Sequence, residues 1–172
     1  GTTLIRILDL IDSKVTIGEA ENAVTYSSPF PNDPIGMEVY MPILMDALST
    51  QDVDVMPGRI NLNECPAELL YGIPSLTADS VQEILELREV ESDDLNRQHE
   101  TWPLVEGIVT LSEMKTLIPM LTGGGDVYRA QIVGYFESGA SHRAEIVIDA
   151  TTVNPKVVAW RDISHLGRGF DL

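Results

Sequence analysis

The chain has 172 residues, enough to bury a sizeable core as one domain or as two small ones. Its formal charge is −16, and residues 1–125 carry 21 acidic against 6 basic side chains, an acidic field that repels nucleic acid and anionic membrane. Cys65 is the only cysteine, which excludes an intramolecular disulfide and a cysteine-based metal site. No apolar run approaches the roughly 20 residues that span a bilayer, and no signal-peptide pattern is visible, so any anchor is expected upstream of Gly1.

Leu4, Ile7, Leu8 and Ile11 recur at helical spacing, with Arg6, Asp9 and Asp12 opposite. They predict a core-packing helix capped by Thr2 or Thr3 and ending before Val15. Over residues 14–35 the pattern is lost: Gly18, Asn22, Ser27-Ser28-Pro29 and Pro31-Asn32-Asp33-Pro34 predict a loop, pinned by Tyr26 and Phe30. Glu19, Glu21, Asn22, Asn32 and Asp33 offer oxygen ligands for a hard cation, but not at EF-hand spacing, and a solvated loop accounts for them more simply. Met37, Tyr40, Met41, Leu44 and Leu48 resume a helical stripe. Because proline disfavours helix at the residue before it, Pro42 predicts a short turn and then a helix from Pro42 to about Ser49. The methionines read as adaptable core filling. Thr50 to Gly58 is a connector, acidic at Asp52 and Asp54.

From Gly58 to Arg88 the pattern is of two short helices joined by a tight turn, introduced by extended Ile60-Asn61-Leu62-Asn63. Pro66 suits a first helical position, with Cys65 as a weak cap and Glu68 near the positive helix end. Leu69, Leu70 and Ile73 are the expected buried side, and Gly72-Ile73-Pro74 closes the helix. Thr77 caps the second, whose stripe is Val81, Ile84 and Leu85 with Leu87 beside it. Glu89 to Glu100 is polar and predicts an exposed loop; Glu91, Asp93 and Asp94 form a second cation candidate, and His99 reads as solvated. Trp102-Pro103-Leu104 begins another helical pair. Thr110 and Glu113 fit a capping box, followed by Leu111, Met114, Leu117, Ile118 and Leu121 as the buried stripe, with Pro119 near the end.

Gly123-Gly124-Gly125 marks a composition shift with a strand rather than a helix after it, so it reads as a flexible joint and not a phosphate loop. Tyr128, Ala130, Ile132, Gly134 and Phe136 then alternate with Val127, Arg129, Gln131 and Val133. A turn at Glu137 to Ala140, a strand carrying Ala144, Ile146 and Ile148, a turn at Asn154-Pro155 and a strand from Lys156 to Asp162 complete an antiparallel β-meander. The expected fold class is α+β in three parts: residues 1–57, helices and a long loop; 58–125, a helix-hairpin-helix helical domain; and 126–172, the meander.

Ile60-Asn61-Leu62-Asn63 with Pro66-Ala67-Glu68-Leu69-Leu70, Ile73-Pro74 and Leu76 resembles a segment of the minor pseudopilin K family of type II (general) secretion systems. Competence-type DNA-binding modules carry a related segment. Val127 to Phe136 and Val157 to Arg161 resemble the strands that follow the helical domain in the pseudopilin family, and Ala20 to Phe30 more loosely resembles the loop of its preceding helical domain. The resemblance implies a SAM-like helical domain set into a pilin-type sheet. The implied role is a periplasmic subunit that caps the pseudopilus with other minor pseudopilins, in contact with secreted cargo. It also implies a possible calcium site, with no residue matching a motif well enough to be assigned. The family's N-terminal apolar helix and most of its first helical domain have no counterpart here. Membrane attachment would run through that helix, over which Ile132, Ile146, Ile148 and Trp160 would pack, with the Leu4–Ile11 helix as a partial substitute.

No catalytic constellation stands out. His99, His142 and His165 are scattered, and Ser164-His165 is an adjacency rather than a triad. DNA binding by a helix-hairpin-helix depends on a Gly-x-Gly turn; Ser75 and Thr77 flank Leu76 instead, and residues 60–125 hold 12 acidic against 3 basic residues. The expected function is a non-enzymatic assembly subunit without a cofactor, the alternative being a protein- or DNA-binding module of a competence-type system.

Overall fold

Leu8 and Ile11 are buried, but the segment that carries them coils only over Ile7–Leu10, as one turn of 3-10 helix rather than the predicted α-helix. The Asp9 carboxylate stops it at one end by accepting from Ile5 and Arg6 N–H, and Asp12, at φ 52°, turns the chain at the other. The computed structural model describes residues 4–18, 22–53, 56, 58–90, 93–136 and 141–167; the predicted caps Thr2 and Thr3 lie outside them.

The predicted loop of residues 14–35 contains a β-hairpin, β1 (Lys14–Ile17) antiparallel to β2 (Val24–Ser27). Its alternating Val-Thr-Ile and Val-Thr-Tyr suit a pleated ladder, and Thr16 and Thr25 share a cross-strand hydrogen bond of 3.0 Å. Tyr26 is exposed there and pins nothing. Phe30 does, against Tyr40 at 5.2 Å between ring centroids, while the Tyr40 hydroxyl donates to the Pro31 carbonyl.

Helix α1 (Pro34–Ala47) runs unbroken through Pro42, against the predicted start there. Asp33 caps it by accepting from Gly36 N–H at 2.8 Å. Pro42 has no N–H to give the Glu38 carbonyl, and the Asn96 side-chain amide supplies the missing donor at 3.1 Å. Asn96 is only 3% exposed and Glu100 8%, so the predicted exposed loop over residues 89–100 is corrected at these two positions, while Val90 and Leu95 are exposed as expected. Within it, Leu95–Gln98 folds as a 3-10 turn capped by Asp94. The Asn96 amide enters the interior with partners in the Glu38 carbonyl and Asp94, and Glu100 with Arg59, although the Asn96 side-chain oxygen accepts no hydrogen bond.

β3 (Ile60–Asn61), α2 (Ala67–Tyr71), α3 (Ala78–Arg88), α4 (Trp102–Val105), α5 (Leu111–Leu117) and β4 (Leu121–Thr122) follow. β3 and β4 pair in parallel, with Ile60 N–H on the Met120 carbonyl at 2.8 Å and Leu62 N–H on that of Thr122 at 2.9 Å. The two ends of the helical segment are thereby zipped together. Leu8, Met37, Met41 and Leu44 share one core with Leu62, Leu70, Ile84, Trp102, Met114 and Leu117. Residues on both sides of the predicted 57/58 boundary therefore belong to one unit, Gly1–Gly124. Gly123 is packed rather than loose: a Cβ there would sit 2.5 Å from the Gln98 carbonyl oxygen.

The second unit, Gly125–Leu172, holds β5 (Val127–Tyr135), β6 (Ser141–Asp149) and β7 (Lys156–Asp162) in an antiparallel sheet of that order. The predicted turn at Glu137 to Ala140 lies outside the described residues. Ala144 and Ile163 are the buried hydrophobic residues of this unit among those described.

Candidate functional site

The two asparagines of the lead-in do different work. Asn61 acts locally: its side-chain oxygen accepts from Asn63 N–H at 3.0 Å, its amide donates to Glu64, and its carbonyl accepts from Cys65 N–H at 2.9 Å. This Asx-type turn swings the chain from β3 into α2. Asn63 reaches across the fold instead. Its amide donates to the carbonyls of Arg97 at 2.7 Å and Gly123 at 2.6 Å, and its oxygen accepts from the Trp102 indole N–H at 3.0 Å. The Arg97 guanidinium lies 4.2 Å from the centre of the Trp102 ring and pairs with Glu106 at 3.0 Å. One amide thus joins the lead-in, the 95–98 turn, α4 and the exit at Gly123.

The helix pair is closed by Arg88, at the end of α3, donating to the Cys65 carbonyl at 2.7 Å. Cys65 is buried, and that burial pushes its thiol up against the pull of Arg88, which disfavours a reactive thiolate. Leu70 and Ile73 face the core, but Leu69 is half exposed, a correction to the expected stripe. Pro66 stands at the N-cap, one place earlier than predicted. In the turn, Ser75 adopts φ 76°, the conformation glycine takes most readily. Thr77 spends its hydroxyl as the α3 cap, accepting from Ser80 N–H at 3.1 Å.

The sheet of the second unit has two unlike faces. Its register sets Ala130, Ile146 and Trp160 abreast, with Tyr128 opposite Ile148 and Ile132 opposite Ala144, and a bulge brings Val157 opposite Ile148. Tyr128 is 51% exposed, Ile132 53%, Trp160 58% and Val157 61%. The other face is mixed, with Val127, Val133, Tyr135 and Val147 around a central polar ladder in which Arg129 and Gln131 both donate to Glu145 and Arg143 donates to Gln131. The Arg129 bond holds the Glu145 carboxyl below the usual range. The face of Tyr128, Ile132, Ile146, Ile148 and Trp160 is the more apolar of the two, and a contiguous exposed apolar face is one that a further element is suited to cover.

Comparison with family models, with curated proteins and with solved structures found no match to this chain.

Of the first cation candidate, Glu19 and Glu21 lie outside the described residues, and Asp33 is committed to capping α1. Of the second, Glu91 lies outside them and Asp94 caps the 95–98 turn. Among the described residues no three His, Cys, Asp or Glu side chains are placed to hold a metal ion. The histidines stay apart. His99, expected to be solvated, is instead largely covered, 3.6 Å from Asp46. His142 stacks on Trp160 and lies 3.6 Å from Asp162, whose carboxyl is held low chiefly by bonds from Ser164. No helix among the described residues is long and apolar enough to cross a membrane. Sequence reasoning missed Asn96, whose only signal was a polar residue six before the buried Trp102.

Proposed function

We propose that this chain is the periplasmic part of a minor pseudopilin that caps the pseudopilus of a type II protein secretion system. It is an assembly protein rather than an enzyme, working with other minor pseudopilins at the periplasmic face of the inner membrane. The observation that carries this reading is the apolar sheet face, with Tyr128, Ile132, Val157 and Trp160 each more than half exposed on a three-stranded sheet. A contiguous exposed apolar face of this kind marks an interaction surface and calls for a covering element. In a pilin-type subunit that element is the N-terminal apolar helix, and the face is its seat.

The helical unit supports the same reading. Its Ile-Asn-Leu-Asn lead-in is used for architecture, through Asn63 and Trp102, and its hairpin turn offers Ser75 and Thr77 where a phosphate-binding turn needs glycine. We read the unit as SAM-like and the sheet as a pilin-type meander. The Leu4–Ile11 segment does not serve as a substitute helix, since it is a single turn whose Leu8 and Ile11 belong to the core of the first unit.

Deleting the gene in its host tests the role. The expected result is that folded proteins normally released outside the cell accumulate in the periplasm, with release restored by the intact gene. Normal extracellular release in the deletion strain overturns the assignment.

A further inference from the structure

The first unit contains a half-open cleft of about 480 Å³, within the range of ligand pockets. Ile5, Met45, Leu48 and Met56 contribute apolar wall; Arg6, Arg59, His99 and Glu100 contribute the polar lining. The charge there reverses that of its surroundings. Residues 1–124 carry 21 acidic against 6 basic side chains. Three of the six are committed elsewhere: Arg88 to the Cys65 carbonyl, Arg97 to Glu106 and Trp102, and Lys115 to Asp9 at 3.2 Å. Lys14 stands on the exposed hairpin. The remaining two, Arg6 and Arg59, line the same cleft, where Asp46 stands behind His99 at 3.6 Å and Glu100 is the acidic residue among the described lining.

That carboxylate is already answered. Arg59 reaches Glu100 through one guanidinium nitrogen, Nη1 on Oε1 at 3.2 Å, with both side chains largely buried. The pair fixes Arg59 in place and leaves the rest of its donor fork for a second acceptor. Arg6 has no carboxylate partner among the described residues. Guanidinium groups beside an apolar wall, in a unit whose surface repels anions, select a small anion with an apolar body. A polyanion would meet the acidic exterior; a neutral apolar molecule would leave the arginines unanswered.

We propose that this cleft binds a carboxylate carried on an apolar stem, with the carboxylate on Arg6 and Arg59 and the stem against Ile5, Met45 and Leu48. The chemistry is that of the free C-terminus of a peptide ending in aliphatic residues, and equally of a short aliphatic acid.

The test is chemical-shift mapping on the isotope-labelled full chain with three probes: N-acetyl-Ala-Val-Leu as the free acid, the same peptide as its C-terminal amide, and octanoate. The free acid is expected to move the amides of residues 5–7, 49–51 and 99–100, and the C-terminal amide to bind about tenfold more weakly, the loss of one charge-assisted contact. Arg6→Gln, at an exposed position, is expected to weaken the free acid and leave the C-terminal amide unchanged. Arg59→Lys, which keeps a charge on Glu100 but loses the fork, is expected to do the same. Tighter binding of octanoate than of the peptide assigns the stem to an aliphatic acid; the reverse order assigns it to a chain terminus. Equal binding of free acid and amide, shifts confined to other residues, or no shifts at millimolar probe would overturn the proposal.

Discussion

Asn63 and Asn61 are two residues apart and chemically identical, yet their removal has unequal consequences. Asn63→Ala strands the Trp102 indole N–H and two carbonyls in a part-buried place, and is expected to cost about 3 kcal/mol. Asn61→Ala loses two local turn contacts, one part-buried and one exposed, and is expected to cost about 1 kcal/mol. Urea unfolding followed by Trp102 fluorescence, with Trp160 replaced by Phe in the background, measures both; equal losses would contradict the division of labour. Glu113 gives a pH signature. The Thr110 N–H and hydroxyl, each 2.7 Å from Oε2, hold its carboxyl below the usual range. Because its folded value is depressed, the unfolded chain takes up the proton first. The contribution is complete above the ordinary glutamate value of about 4.3 and is lost as pH falls through the lower folded one. Glu113→Gln is therefore expected to flatten the fall of the melting temperature on the acid side. That capping box was legible from residue types alone, because both partners lie within three positions. The reach of Asn63 was not, since its partners lie 34, 39 and 60 positions away.

At the scale of elements, α1 and the 95–98 turn form a matched pair: a proline that removes a donor and an asparagine that replaces it. Asn96→Leu leaves the Glu38 carbonyl unanswered and is expected to destabilise the chain by about 2 kcal/mol. Pro42→Ala restores the helical N–H, so the same Asn96→Leu change made on that background should cost markedly less. A double-mutant cycle reads the difference directly, and additive effects would show that the two residues act independently. Proline rules rightly mark Pro42 as a helix breaker in isolation; tertiary supply of the donor overrides them. The β1–β2 hairpin was hidden for the opposite reason. Gly18, Asn22 and Pro29 dominate the local signal, while two four-residue strands carry too little alternation to outweigh them. β3 and β4 are two residues each and pair across 61 positions, beyond any periodicity. The caps at Thr77 and Thr110, and the three alternating strands after Gly125, were legible because short-range chemistry defines them.

The whole chain is two unlike bodies. The first buries a core around Trp102; the second leaves Trp160 and its neighbours on a bare sheet face. Amide exchange is expected to be slow in α3 and α5 and much faster in β5 and β7, because edge strands over an uncovered face open locally. What covers that face is the central question. For the proposed role, the direct measurement is the mass, by light scattering, of mixtures with the periplasmic domains of minor pseudopilins from the same host. It is made once with this chain and once with the chain fused behind an apolar pilin-type helix. The account predicts a defined heterocomplex with the fused chain and little or none with this one. A tight complex formed by this chain alone, or no complex with either, would contradict it.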